Sequence, residues 1–486
     1  MKTKQTIIRH ILLFSLPLLA GCSKYLEKSP DNRTELNSPE KVSQLLGTAY
    51  PQGNYMGFAE AMSDNVADKG VGTVDITNAT SYVFGDVIDP NQDSPEYYWN
   101  ACYSAIAAAN QALKACEEAA NPGDYSSQRG EALVARAYNH FMLVTLFANA
   151  YDPTTAGNDP GIPYVTEPEN VVIKQYERGT VASVYANIEA DLTAGLPLLD
   201  DSRYNVPKYH FTKMAANAFA CRFFLYKGEF QKAVDHANTA LGSGNVVNYL
   251  RPWNTTYRNM TFQELFETYA RASTAANLLL VEASSLYARQ YYTLRYAMTS
   301  AKNTEIFGQN VTGADWSFNF QTYTAGSNNY LIPKINEYFV QSSVNANIGL
   351  PYVMIPLFTA EELLFNRAEA NAWLNNTTAA LSDLNAYAST RMEDYSSSAN
   401  RITTTKIRQF YGISDPQIGI VRTILDFKRA EFAQEGMRWF DILRFRLAVA
   451  HRTSDGELHV LTNDDPRRLL QLPQSTSLSG LTPNPR

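Results

Sequence analysis

Apolar positions recur with the period of an α-helix along most of this chain. In GEALVARAYNHFMLVTLFANA at 130–150, Leu133, Ala137, Phe141, Val144 and Ala148 share one helix face. Thr180 stands as an N-cap before Val181, Val184, Tyr185, Ile188 and Leu192, and Gly195 with Pro197 marks the stop. From Thr212 to Leu241 two helical stretches flank a tight Lys227-Gly228-Glu229 turn. Ala233, Ala237 and Ala240 are small enough to let the second helix lie close on the first. This follows the tetratricopeptide repeat, a helix pair of about 34 residues. A second pair runs from Thr359 to Arg391 and opens on the capping-box spacing Thr359 to Glu362.

With weaker pairs upstream, the pattern predicts a mainly α fold: a tetratricopeptide-like helix-pair layer over about 40–244 and 356–450. Between about 245 and 355 the helical period survives only in patches. Trp253, Tyr257, Tyr291, Tyr292, Trp316, Phe318, Phe320, Tyr323 and Tyr330 crowd a stretch rich in Asn, Thr, Ser and Gly. That predicts a loop-rich, less regular insert resting on the layer, and long irregular segments in compact proteins tend to be functional.

The amino terminus has a different pattern. Lys2, Lys4 and Arg9 precede an apolar run over Ile11–Leu19, which reads as a secretory signal over 1–21. The run is far shorter than the roughly 20 residues that cross a bilayer, and no later segment qualifies. Leu19-Ala20-Gly21-Cys22 has the form of a bacterial lipobox, so Cys22 is the expected lipidation site and membrane attachment is through acyl chains. Each buried methylene contributes about 0.8 kcal/mol, so two or three chains hold firmly where one binds reversibly. Residues 22–39 read as the lipidated cysteine and a flexible tether of at most about 55 Å, and 40–486 as the body.

Charge and motifs narrow the chemistry. Net charge is −7, and no Lys/Arg-rich run offers nucleic acid a footprint. The 6 His are scattered without metal-ligand spacing, and Walker, Gly-x-Ser-x-Gly and dinucleotide motifs are missing, so no cofactor and no metal are expected. A pair of catalytic carboxylates among 48 acidic residues stays open, because glycoside hydrolysis needs only proximity in space. Arg429, Glu431, Glu435, Arg438, Asp441 and Arg444 read as a structural ion network, with Arg438–Asp441 and Asp441–Arg444 at helical-neighbour spacing. On a shared helix Cys102 and Cys116 stand about 21 Å apart, beyond disulfide reach. A bridge from Cys221 stays possible, with buried free thiols the expectation. The 30 Tyr are unusually many and supply stiff amphipathic surface suited to a polar ligand.

Several segments together resemble the SusD/RagB family of glycan-capturing outer-membrane lipoproteins. KRAEFAQEGMRWFDILRF at 428–445 is similar to the family signature, and GEALVARAYNHFMLVTLFANAYDP at 130–153 with Gly161-Ile162-Pro163 resembles a second conserved region. AEELLFNRAEANAWL at 360–374 and WNACYSAIAAANQAL at 99–113 resemble two more helices, and Tyr25-Leu26-Glu27 after the lipobox suits the family's amino terminus. The chain departs in lacking an Arg near Phe358 and Thr359, and an acidic residue after the closing Pro-Gln. The resemblance implies four tetratricopeptide-like pairs under a loop-rich ligand face, a glycan ligand, and a SusC-like TonB-dependent transporter as partner.

A pyranose presents a flat C–H face that stacks on aromatic rings, and its hydroxyls seek Asn, Gln, Asp and Arg. In the stretch where the family tends to place such residues stand Trp316 with Tyr323 and Asn319, and Tyr291 with Tyr292. Tyr82 sits in an early loop that could meet them, and Trp99 opens a helix where it could equally pack. The resulting expectation is a non-catalytic, lipid-anchored surface protein that binds glycans for import. A peptide ligand, a carbohydrate-active enzyme and a pure tetratricopeptide scaffold are the alternatives.

Overall fold

Helix Ser126–Phe147 is the centre of the molecule: every residue from Gly130 to Ala148 is buried, so it has no solvent face over that stretch. The structure, a computed structural model, describes residues 35–486 apart from 170, 172, 319–320, 324–328 and 345, with 321–323 described by their backbone. The signal stretch, Cys22, most of the tether, Asn319 and the Tyr323 side chain therefore lie outside the described residues.

The sequence pattern gave this helix a single apolar face, which proves too narrow. Helix Pro95–Glu118 covers one side and helix Val181–Gly195 the other. The second crossing brings backbones together at two glycines. A Cβ on Gly130 would stand 2.9 Å from the Gly195 carbonyl oxygen, and one on Gly195 would stand 2.9 Å from that of Gly130. Thr180 caps the crossing helix in a reciprocal box with Ser183.

The pair Lys213–Lys227 and Phe230–Leu241 forms as the sequence predicts. The Thr212 hydroxyl accepts from Ala215 N, Gly228 turns the chain at φ +81°, and Ala233 and Ala237 are fully buried between the helices. Phe230–Leu241 also packs on Ala360–Trp373, which lies on Thr377–Ala388 and Pro416–Glu431, so pairs distant in sequence become neighbours in one layer. At the second pair the capping box is only half made. The Thr359 hydroxyl accepts from Glu362 N, but the Glu362 carboxylate takes the fork of Arg222 at 2.5 Å instead of returning to the cap. A buried, charge-assisted pair outweighs a capping hydrogen bond.

The insert is more regular than its sequence suggests. Strands β1 (Ala67–Asp68) and β3 (Tyr296–Ala297) pair, as do β4 (Gln321–Tyr323) with β5 (Asn329–Leu331) and, near the carboxyl end, β8 (Val449–Arg452) with β9 (Leu458–Leu461). A three-stranded antiparallel sheet has the order β2 (Asn277–Ser284), β7 (Gly349–Thr359), β6 (Glu337–Gln341). Along β7, Val353, Ile355 and Leu357 face the core while Tyr352, Met354 and Pro356 are half-buried on the other face, the period-2 pattern of a strand covered on one side.

A buried ionic core joins the insert to the helix layer. Arg391 is fully buried and bonds Glu361 at 2.9 Å and Glu431 at 2.7 and 3.0 Å, and Glu361 also accepts from Arg251 at 2.8 Å. Lys334 from the insert reaches Glu435 at 2.7 Å, and Gln434 accepts from Ile332 N and donates to Tyr330 O. Of the two helical pairs predicted in this motif, Asp441–Arg444 forms at 2.8 Å. Arg438 goes to Asp64 at 2.8 Å, because Lys428 and Arg444 already occupy Asp441. Cys102, Cys116 and Cys221 are buried free thiols.

Candidate functional site

Three stretches far apart in sequence meet at one edge of the insert: the loop leaving β1 through residue 76, the turn at 291–296 leading into β3, and strand β5. Backbone ladders hold the first two together. Lys69 N donates to Arg295 O, Thr73 N to Thr293 O, and Arg295 N to Thr73 O. Gly72 makes the approach possible at φ +127°, since a Cβ there would lie 2.7 Å from Thr293 O. This apposition leaves Val71, Val74 and Ile76 exposed along the loop and Tyr292 and Tyr296 half-buried beside it.

Two cations with opposite fates sit in this apposition. Arg295 grips Asp68 through both nitrogens at 2.8 Å and reaches Ser454 Oγ at 3.0 Å. Burial opposes the charge on Asp68, yet the Arg295 fork and the N–H groups of Ser454 and Gly70 hold it down to about 2. Lys69 instead donates to two neutral oxygens, Tyr292 O at 3.0 Å and Asn329 Oδ1 at 2.6 Å. Burial pushes its pKa down to about 8. Asn329 is the register partner of Tyr323, so Lys69 links the Tyr292 turn to the strand position of Tyr323.

Among the residues read as a platform, Tyr292 and the backbone position of Tyr323 therefore meet at this edge. Tyr82 lies directly beneath it and is 1% exposed. Its ring is stacked at 4.2 Å against both Tyr296 and His451, and its hydroxyl accepts from Asp68 N and donates to Arg452 O. Tyr291 is also beneath, 3% exposed, with its hydroxyl on Ile332 O at 2.8 Å. Both rings hold the loops in place and present no free face, which corrects the reading of them as stacking surfaces.

Trp316 is corrected for the same reason. Its ring packs among Phe307, Phe318 and Phe427 at 5.3–6.3 Å in the core. Trp99 is 5% exposed, packed against Phe147 and Tyr103, and borders a separate cavity of about 350 Å³ shared with Tyr176 and residues near 475–481. Sequence reasoning missed Lys69, Asp68, Arg295 and Asn329. A segment-by-segment charge count carries the signal: 283–304 and 316–336 contain no acidic residue in a chain of net charge −7.

A layer of antiparallel helix pairs carrying an insert whose loops build an aromatic edge defines a helical-repeat protein of the SusD fold class. Residues 24–225 match the family model described as "Starch-binding associating with outer membrane", and 287–467 match that of the SusD family. The chain belongs to the SusD/RagB family. Its fold is similar to a SusD superfamily protein from Bacteroides thetaiotaomicron, at 18% identity and TM-score 0.64, covering 92% of this chain and 100% of the other. It is also similar to a SusD-like carbohydrate binding protein from Bacteroides vulgatus at 17% identity and TM-score 0.62, covering 91% and 96%. A laminarin binding SusD-like protein aligns at 16% identity and TM-score 0.58, covering 91% and 97%. No curated protein sequence matches the chain. Among the described residues no helix is long and apolar enough to cross a membrane.

Proposed function

We propose that this chain is an outer-membrane lipoprotein, anchored through Cys22, that captures poly- or oligosaccharide without acting on it and passes it to a SusC-like TonB-dependent transporter. The observation that carries the reading is the edge where loop 69–76, turn 291–296 and strand β5 converge. There, Lys69 donates to the backbone oxygen of half-buried Tyr292, and the Arg295 guanidinium lies 5.2 Å from the ring centroid of half-buried Tyr296. Rings and N–H donors side by side match the two needs of a sugar, a stacking face and hydroxyl partners. Membership of a family whose model is described as starch-binding and associated with the outer membrane supports the ligand class and the location. Tyr292, Tyr323 and Asn319 are the platform positions we retain, with Tyr82 and Tyr291 as their supports.

The test is a glycan array probed with the soluble body starting at residue 23, with product analysis on every hit. Binding without turnover, reduced in a Tyr292→Ala/Tyr323→Ala variant, is the expected result. Released product, or silence on glycans with binding to peptides, overturns the reading. Protease shaving of intact cells checks the location: a protein protected until the membrane is broken contradicts surface display.

A further inference from the structure

The cation at the loop edge says something about which glycan. Lys69 is half-buried, and its ammonium, which has three N–H bonds, spends two of them on neutral oxygens, Tyr292 O at 3.0 Å and Asn329 Oδ1 at 2.6 Å. Among the described residues no carboxylate lies within ion-pair distance of it, whereas the neighbouring cations are all matched: Arg295 by Asp68, Arg289 by Glu337 and Lys302 by Glu305. Asp68, next in sequence, is committed to Arg295 and to the N–H groups of Ser454 and Gly70.

The composition of the edge keeps it so. The turn and strand β5 come from segments 283–304 and 316–336, neither of which contains an Asp or Glu, and the acidic residue of the 69–76 loop, Asp75, caps helix Ile76–Tyr82 by accepting from Asn78 N. Neither the turn nor the β5 segment can bring Lys69 a carboxylate of its own, and Asp75 is engaged at its helix cap. Desolvating a cation is costly unless a counter-charge meets it, so a half-buried ammonium left with neutral partners gains most from an anion arriving with a ligand. The acidic residues that make the whole chain negative act only weakly across more than about 8 Å at physiological salt, so the local charge decides.

Resting on the glycan-capture reading, we infer that the site selects anionic glycans, whose carboxylate or sulfate takes the third N–H of Lys69 while a neighbouring sugar ring lies on the adjoining tyrosines. The Lys69–Tyr292–Asn329 arrangement holds the ammonium at a fixed point between the turn and strand β5. A uronate or sulfate is thereby read by position as well as by charge.

Affinity electrophoresis of the soluble body through polygalacturonate, chondroitin sulfate and neutral dextran or laminarin gels tests this. The native protein is expected to be retarded by one or both anionic polymers and not by the neutral ones. Polygalacturonate alone would point to carboxylate, and sulfated polymer alone to sulfate. Lys69→Gln keeps hydrogen-bond donors for Tyr292 O and Asn329 but removes the charge, and should weaken retention about tenfold. Lys69→Arg should restore much of it, and Lys213→Gln, an exposed cation on another helix, should leave it unchanged. Unchanged thermal unfolding of Lys69→Gln separates ligand loss from misfolding. Equal retention of Lys69→Gln and native protein, or native retention by neutral polymers alone, overturns the inference while leaving glycan capture standing. Retention by no polysaccharide at all overturns both.

Discussion

Replacing Arg391 by Met tests whether the buried ionic core welds the insert to the helices. In the native protein the guanidinium makes two bonds to Glu431 and one to Glu361, donates to Arg251 O, and lies 4.7 Å from the Tyr387 ring centroid. Met fills much of the volume but leaves Glu431 with the Tyr387 hydroxyl at 2.9 Å as its remaining side-chain hydrogen bond, while Glu361 keeps Arg251. Removing one partner of a buried pair costs about 3–5 kcal/mol, and the surviving bonds place the expected loss near the lower end. The pH dependence carries the sharper test. Burial opposes the charge on Glu431, yet Arg391 keeps its pKa below the ordinary carboxylate value. The native state therefore binds fewer protons there than the unfolded chain, and the stabilisation is full above about pH 4.3 and lost as pH falls through the lower native value. In Arg391→Met the buried carboxyl shifts upward, so the deficit is largest at pH 7 and narrows toward pH 5, where the variant can protonate. Urea unfolding followed by circular dichroism and tryptophan fluorescence at both pH values measures this. A loss below about 1 kcal/mol at pH 7, or the same loss at pH 5, refutes the argument.

Trp316→Ala should destabilise by about 3–5 kcal/mol in the same unfolding assay, as a core ring does; an unchanged midpoint would return Trp316 to the ligand surface. Gly130→Ala pushes a methyl to 2.8 Å from Leu198 Cβ and 2.9 Å from Gly195 O. The overpacking, about 1–3 kcal/mol, exceeds the helix-propensity gain of about 1 kcal/mol, so urea melts should show a net loss and a net gain would contradict the tight crossing. Thr212→Ala removes the cap on Ala215 N and should cost about 1 kcal/mol, read as a lower urea midpoint at unchanged slope.

Local physics makes much of the architecture legible in the sequence. Thr180 and Thr359 cap helices where the sequence places caps, and Gly228 turns the chain where two apolar periods meet, because each acts through a backbone within a few residues of itself. The helical layer follows from the same short-range rules. Residues whose partners are remote were not legible. Glu362 has the spacing of a capping-box acid and becomes the partner of Arg222, 140 positions away. Arg438 leaves its helical neighbour for Asp64, and Tyr82, Tyr291 and Trp316, which share the composition of a sugar platform, are core or scaffold rings.

The sequence by itself determined the helix pairs and the ionic character of the 428–445 motif. Only the tertiary structure decided which rings are buried and, among the described residues, which cation lacks a counter-charge. Aromaticity and charge belong to single residues, but exposure and pairing depend on which distant segments the fold brings alongside. Lys69 shows the difference: in the sequence it is one lysine among many, and only the meeting of loop, turn and strand β5 places its ammonium between two neutral oxygens.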